Sequence, residues 1–129
     1  MFRNIAATVV FVKDMDKCKA FYRDTLGLEV TELDPEHVAV QMDNVYFLLL
    51  EIGIAARMIS EQELELKIDG GPRGLLAAGV ENIDATYETL KARGVTFLRP
   101  PTDQPWGLRT AYFADPEGNI WEINQPIGS

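Results

Sequence analysis

The chain has 129 residues, of which 47% are hydrophobic and 25% charged, a balance that suits one domain with a proper core. Its formal net charge of −8 argues against nucleic acid and anionic membranes, which select basic surfaces, and is compatible with a cationic partner or simply with a soluble acidic surface. No apolar run is long enough for a membrane span, and "MFRNIAATVV" has no signal-peptide pattern. The single cysteine, Cys18, cannot form an internal disulfide, so a cytoplasmic protein is expected.

The first element is "IAATVVFV", Ile5 to Val12, an apolar and β-branched stretch that reads as a buried strand. Asp14 then caps a helix whose Met15, Cys18, Phe21, Tyr22 and Thr25 recur at helical spacing, and Gly27 supplies its left-handed end. Three short strands follow, "LEVTEL", "HVAVQM" and "VYFLLLE", separated by the turn formers "DPE" and "DN". Residues from about 52 to 73 read as a linker, within which "ELELKI" suits either a strand or one helical turn.

The order then repeats. "GLLAAGV" is a strand, Asn82 caps a helix carrying Ile83, Tyr87 and Leu90, and Gly94 ends it. "VTFL", "LRTAYFA" and "IWEIN" are three further strands. Asp14 matches Asn82, Asp16 matches Asp84 and Gly27 matches Gly94, at offsets of 68, 68 and 67 residues. Such regular offsets indicate an internal duplication. The expected architecture is α+β: one domain over 1–129 built from two tandem βαβββ modules, about 1–51 and 74–129. Each module is a curved sheet with a helix on its outer face, and together they form a partly closed sheet around a cavity.

"VVFVKDMDKCKAFYRDTLGLEV" and "WGLRTAYFADPEGNIWEI" resemble the vicinal oxygen chelate superfamily, which contains glyoxalase I, extradiol dioxygenases, fosfomycin-modifying enzymes and bleomycin-binding resistance proteins. The resemblance spans nearly the whole chain. It implies a cavity that holds one divalent metal in the metal-dependent members. Their ligand positions correspond here to Ala7, Leu75, Glu51 (Leu50 if the register shifts by one) and Glu122. Both histidines of the pattern are therefore absent. The only histidine, His37, follows the "DPE" turn, and a triad of two histidines and one carboxylate cannot be built from it. No cofactor is expected, with a divalent metal held by carboxylates and waters as the alternative. Tyr112 and Glu122, ten residues apart across "YFADPEGNIWE", also match the tail of the extradiol dioxygenase signature, whose upstream histidine is missing.

Glu122 is the best catalytic or anchoring candidate, since a carboxylate inside a sheet needs a cation or a donor. Arg109 could supply one internally. Tyr112 is either a core aromatic or a cavity hydrogen bonder. Trp106 is either a cavity rim or a plug for an open end, and Phe11 and Leu48 either line the cavity or pack in the core. Cys18 reads as a small buried hydrophobe. The "DPEGN" turn has a structural explanation in Pro116 with Gly118 or Asn119.

Two functions fit. The resemblance implies a metal-free homodimer that sequesters a small cationic or aromatic molecule, as bleomycin-type resistance proteins do. The alternative is a glyoxalase- or dioxygenase-like enzyme with an atypical site, using Glu122 or Glu51 for proton transfer. A degenerate relative serving only as a dimerising domain is a third possibility.

Overall fold

The computed structural model describes residues 3, 5–59 and 74–128. The chain divides into two compact units, Met1–Gly70 and Gly71–Ser129. Each unit is built around a four-stranded mixed sheet, and the two sheets share one topology.

The first unit contains β1 (Thr8–Val12), α1 (Met15–Ala20), β2 (Val30–Asp34), β3 (His37–Val40), β4 (Phe47–Glu51) and α2 (Ile52–Ile59). Its strands lie in the order β1-β4-β3-β2, with β1 parallel to β4 and the other pairs antiparallel. The Asp14 carboxylate accepts from the Lys17 backbone N–H at 3.1 Å, satisfying one of the unpaired donors at the start of α1. A π-helical turn, Phe21–Thr25, continues α1, and Gly27 takes φ 76° to let the chain leave. Strand alternation then sorts the side chains. Val38, Val40, Phe47 and Leu49 are buried with Cys18 and Tyr22, and the Tyr22 and Phe47 rings meet at 5.7 Å between centroids.

The second unit contains β5 (Leu75–Gly79), α3 (Ile83–Ala92), β6 (Phe97–Asp103), β7 (Leu108–Ala114) and β8 (Ile120–Pro126). Its order is β5-β8-β7-β6, again with the first pair parallel and the rest antiparallel. Asn82 caps α3 as Asp14 caps α1, its side-chain oxygen accepting from the Ala85 N–H at 3.0 Å. Gly94 takes φ 93°. Ile83, Leu90, Phe113, Trp121 and Ile123 form the core of this unit.

One expectation is corrected. The stretch after β4 is not simply a linker: Ile52–Ile59 forms α2. "ELELKI" lies outside the described residues.

Candidate functional site

Pairing across the second sheet determines which side chains share its surface. In the antiparallel β7–β8 pair Tyr112 stands opposite Glu122 and Thr110 opposite Asn124. In the parallel β5–β8 pair Ala77 stands beside Glu122 and Gly79 beside Asn124. Trp121 and Ile123 are buried on the helix side, so Glu122 and Asn124 emerge on the opposite face.

There the Tyr112 hydroxyl donates to Glu122 Oε1 at 2.7 Å, and Asn124 Nδ2 donates to Oε2 at 2.7 Å. Glu122 is half-buried, and both its oxygens are held by neutral donors. Among the described residues it forms no ion pair, and the cation that shares its face, Arg99, stands opposite Tyr112 on β6. The small neighbours Ala77 and Gly79 leave the surface beside it low.

Tyr112 responds to this charge. The Thr110 hydroxyl and, more weakly, the Arg99 charge favour the phenolate, but the Glu122 hydrogen bond, burial and the Glu122 charge outweigh them, and the phenol titrates above its ordinary value of 10.0. Because the folded pKa is raised, the contribution to stability is full below about pH 10 and is lost as pH rises through the folded value. Glu122→Gln is expected to bring the Tyr112 pKa back down. Absorbance titration of the variant, read as a difference against Tyr112→Phe, checks this. An unchanged pKa would contradict the coupling.

Arg109 does not pair with Glu122. It belongs to the alternate set of β7 side chains, and its guanidinium donates to Asp84 and Asp103, each at 3.0 Å. Glu51 is also engaged elsewhere. It accepts from the Gly53 and Ile54 N–H groups at 2.9 and 3.1 Å and so caps α2. Trp106 sits at the β6–β7 turn, 65% exposed. Phe11 and Leu48 are half-buried on the face of the first sheet that also carries Val9. His37 Nδ1 lies 2.8 and 2.9 Å from the two Asp34 oxygens, and this hydrogen bond is the largest cause lowering the Asp34 pKa. Ala7 and Leu75 offer only hydrocarbon.

The hydrogen-bond register revises the equivalence of the two modules. Val9 and Ala77 each lie five residues before their helix cap; Val9 pairs with Leu48, and Ala77 pairs with Glu122. Leu48, not Glu51 or Leu50, therefore holds in the first unit the position that Glu122 holds in the second. The corresponding positions offer Ala7 and Leu48, both hydrocarbon, in the first unit, and Leu75 and Glu122, one hydrocarbon and one carboxylate, in the second. Neither pair fits a first-row transition ion, which needs imidazole or several carboxylates. Among the described residues no three His, Cys, Asp or Glu side chains gather to hold a metal.

Two contributors escaped emphasis in the sequence. Asn124 shares the face of Glu122 by the strand period, but its role as a donor to the carboxylate comes only from the structure. Asp115, at the β7–β8 turn, is buried and accepts from the Glu117 and Asn119 N–H groups and from Asn119 Nδ2. It fixes the hairpin that brings Tyr112 and Glu122 together.

Comparison with known proteins agrees with the duplicated fold. A sequence profile of the Glyoxalase/Bleomycin resistance protein/Dioxygenase superfamily matches residues 4–123. The uncharacterised protein YraH of Bacillus subtilis (strain 168) is 33% identical over 117 residues, covering 88% of this chain and 91% of its own. A solved glyoxalase/bleomycin resistance protein/dioxygenase from Nocardioides superposes with a TM-score of 0.83 at 25% identity, over 100% of this chain and 90% of that one. A superfamily member from Sphaerobacter thermophilus DSM 20745 gives 0.72 at 31% identity, over 95% and 97%. A lactoylglutathione lyase from Agrobacterium tumefaciens shares the fold, with a TM-score of 0.75 at 22% identity over 94% and 92%. The chain belongs to the glyoxalase/bleomycin resistance protein/dioxygenase superfamily.

Proposed function

We propose that this chain is a small-molecule-binding protein that captures an organic cation at the exposed face of its second sheet, with Glu122 as the counter-charge and without a transition metal. The observation that carries this reading is the state of Glu122. Two neutral donors orient its oxygens and no described side chain forms an ion pair with it, the cation on this face, Arg99, standing one strand further away, opposite Tyr112. A half-buried carboxylate in that condition favours an incoming positive charge. The net charge of −8 would draw cations from a distance. The low floor at Ala77 and Gly79 suits a flat, aromatic body. Sequestration of a bleomycin-type cationic drug by a cytoplasmic homodimer is the fullest form of this proposal.

Proton transfer by Glu122 is the second reading, favoured by the short Tyr112 bond and by likeness to enzymes of the superfamily. Turnover of the methylglyoxal–glutathione adduct, lost in Glu122→Gln, would support it over sequestration.

Calorimetric titration with benzamidine, a planar cation, and with bleomycin tests the first reading. Glu122→Gln is expected to weaken binding at least about tenfold, since a charge-assisted pair is lost. Added salt should weaken it as well. Glu51→Ala, which removes only a helix cap, should leave it unchanged. Binding indifferent to Glu122→Gln would overturn the proposal.

A further inference from the structure

The first unit contains a cavity of about 310 Å³ at the turn between β3 and β4. This volume lies at the lower end of the range, about 300–1,000 Å³, usual for small-molecule pockets. Its walls include Ile5, Thr31, Met42, Asp43, Asn44 and Tyr46. The turn is fastened on both sides. The Thr8 N–H donates to the Tyr46 carbonyl at 2.8 Å, and the Gln41 N–H donates to the Glu29 carbonyl at 2.8 Å. A pocket held this way needs little ordering on binding.

Its chemistry is specific. Among the described residues no Lys, Arg or His lines it, and Asp43 is the one charged side chain. Among the described residues the side chains of Asp43, Asn44 and Tyr46 make no hydrogen bond, ion pair or ring contact, so one carboxylate, one amide and one phenol are available together. Beside them Tyr46 is 52% exposed and Ile5 79%, although both are large and apolar. Apolar surface gathered around a polar recess is a frequent mark of a ligand site.

The geometry points to a second small-molecule site here, which takes a small primary amine with an aromatic or branched apolar body. The ammonium group donates to the Asp43 carboxylate and the Asn44 side-chain carbonyl. The Tyr46 ring offers a face to the cation and to the apolar body, and Met42 and Ile5 cover the remainder. Carboxylates and phosphates are disfavoured, because the described lining holds a negative charge and no basic side chain. This site uses none of the residues around Glu122.

The test is an NMR titration of the ¹⁵N-labelled full chain with benzylamine, benzyl alcohol and benzoate, matched in shape and different in charge. Benzylamine should move the amide signals of Thr31 and of Asp43 to Tyr46 saturably, both in the wild type and in Glu122→Gln. Benzoate should not. Asp43→Asn is expected to weaken benzylamine about tenfold, and Tyr46→Ala to do so further. Both positions are exposed, and unchanged signals from Tyr22 and Phe47 would show that the fold is kept. Benzoate binding as well as benzylamine, or shifts confined to Tyr112, Glu122 and Asn124, would overturn the site. The latter result would leave the Glu122 proposal standing, so the two fail separately.

Discussion

Asp115→Ala is expected to lower the stability of the second unit by about 3 kcal/mol, a large share of what a small domain has. The carboxylate is only 5% exposed. It accepts from Glu117 N at 2.9 Å, Asn119 N at 2.8 Å and Asn119 Nδ2 at 2.9 Å. Removing it strands three donors at once. Hydrogen bonds to a charged acceptor contribute about 1.5–3 kcal/mol each, but donors in a turn regain water, so the sum is well below three times that. Asp115→Asn keeps one acceptor oxygen and should cost about half as much. Urea denaturation measures both. A loss under about 1 kcal/mol for Asp115→Ala would show that the turn is held by its backbone bonds instead.

Phe113→Ala is expected to cost more, about 3–5 kcal/mol, because it opens a cavity in the middle of the second core. Phe113 is 2% exposed. Its ring lies 5.5 Å from Phe97 and 6.4 Å from Trp121, nearly parallel to the indole with an interplanar angle of 7°. The aromatic contacts add to the area lost from water. Phe113→Leu refills most of the volume and should cost under about 2 kcal/mol. Trp121 is buried and Trp106 exposed, so tryptophan emission separates loss of the core from changes at the β6–β7 turn. Equal stability of the alanine and leucine variants would contradict this packing.

The duplication was legible in the sequence because it is written in punctuation. Helix caps and left-handed glycines depend on local chemistry, and Asp14, Asn82, Gly27 and Gly94 each state theirs within a few residues. The alternation of β8 is equally legible, since Trp121 and Ile123 are buried and Glu122 between them lies on the other face. The helix α2 was hidden because "IGIAARMI" combines a glycine with β-branched residues, and its capping residue belongs to the preceding strand. The pairing of modules by counting failed at Leu48. Loops between the strands differ in length between the modules, and only hydrogen-bond register shows that Leu48 faces Val9 as Glu122 faces Ala77. Arg109 could have been assigned from the period of the strand. It shares parity with the buried Ala111 and Phe113, whereas the partner of Glu122 is Tyr112. The ion pair with Asp103 depends on the register of the β6–β7 hairpin, and the one with Asp84 on the packing of α3 25 residues away, neither of which the spacing of charges shows.

Metal loading tests the central claim most directly. The purified protein is incubated separately with Mn²⁺, Fe²⁺, Ni²⁺ and Zn²⁺, desalted, and its metal counted per chain by elemental analysis. Glu122 is held by two neutral donors, and no three metal-ligating side chains gather among the described residues, so essentially none should be retained, with Glu122→Ala indistinguishable from the wild type. About one ion held per chain and lost in Glu122→Ala would contradict the account, and would make Glu122 a metal ligand rather than the anchor of an organic cation.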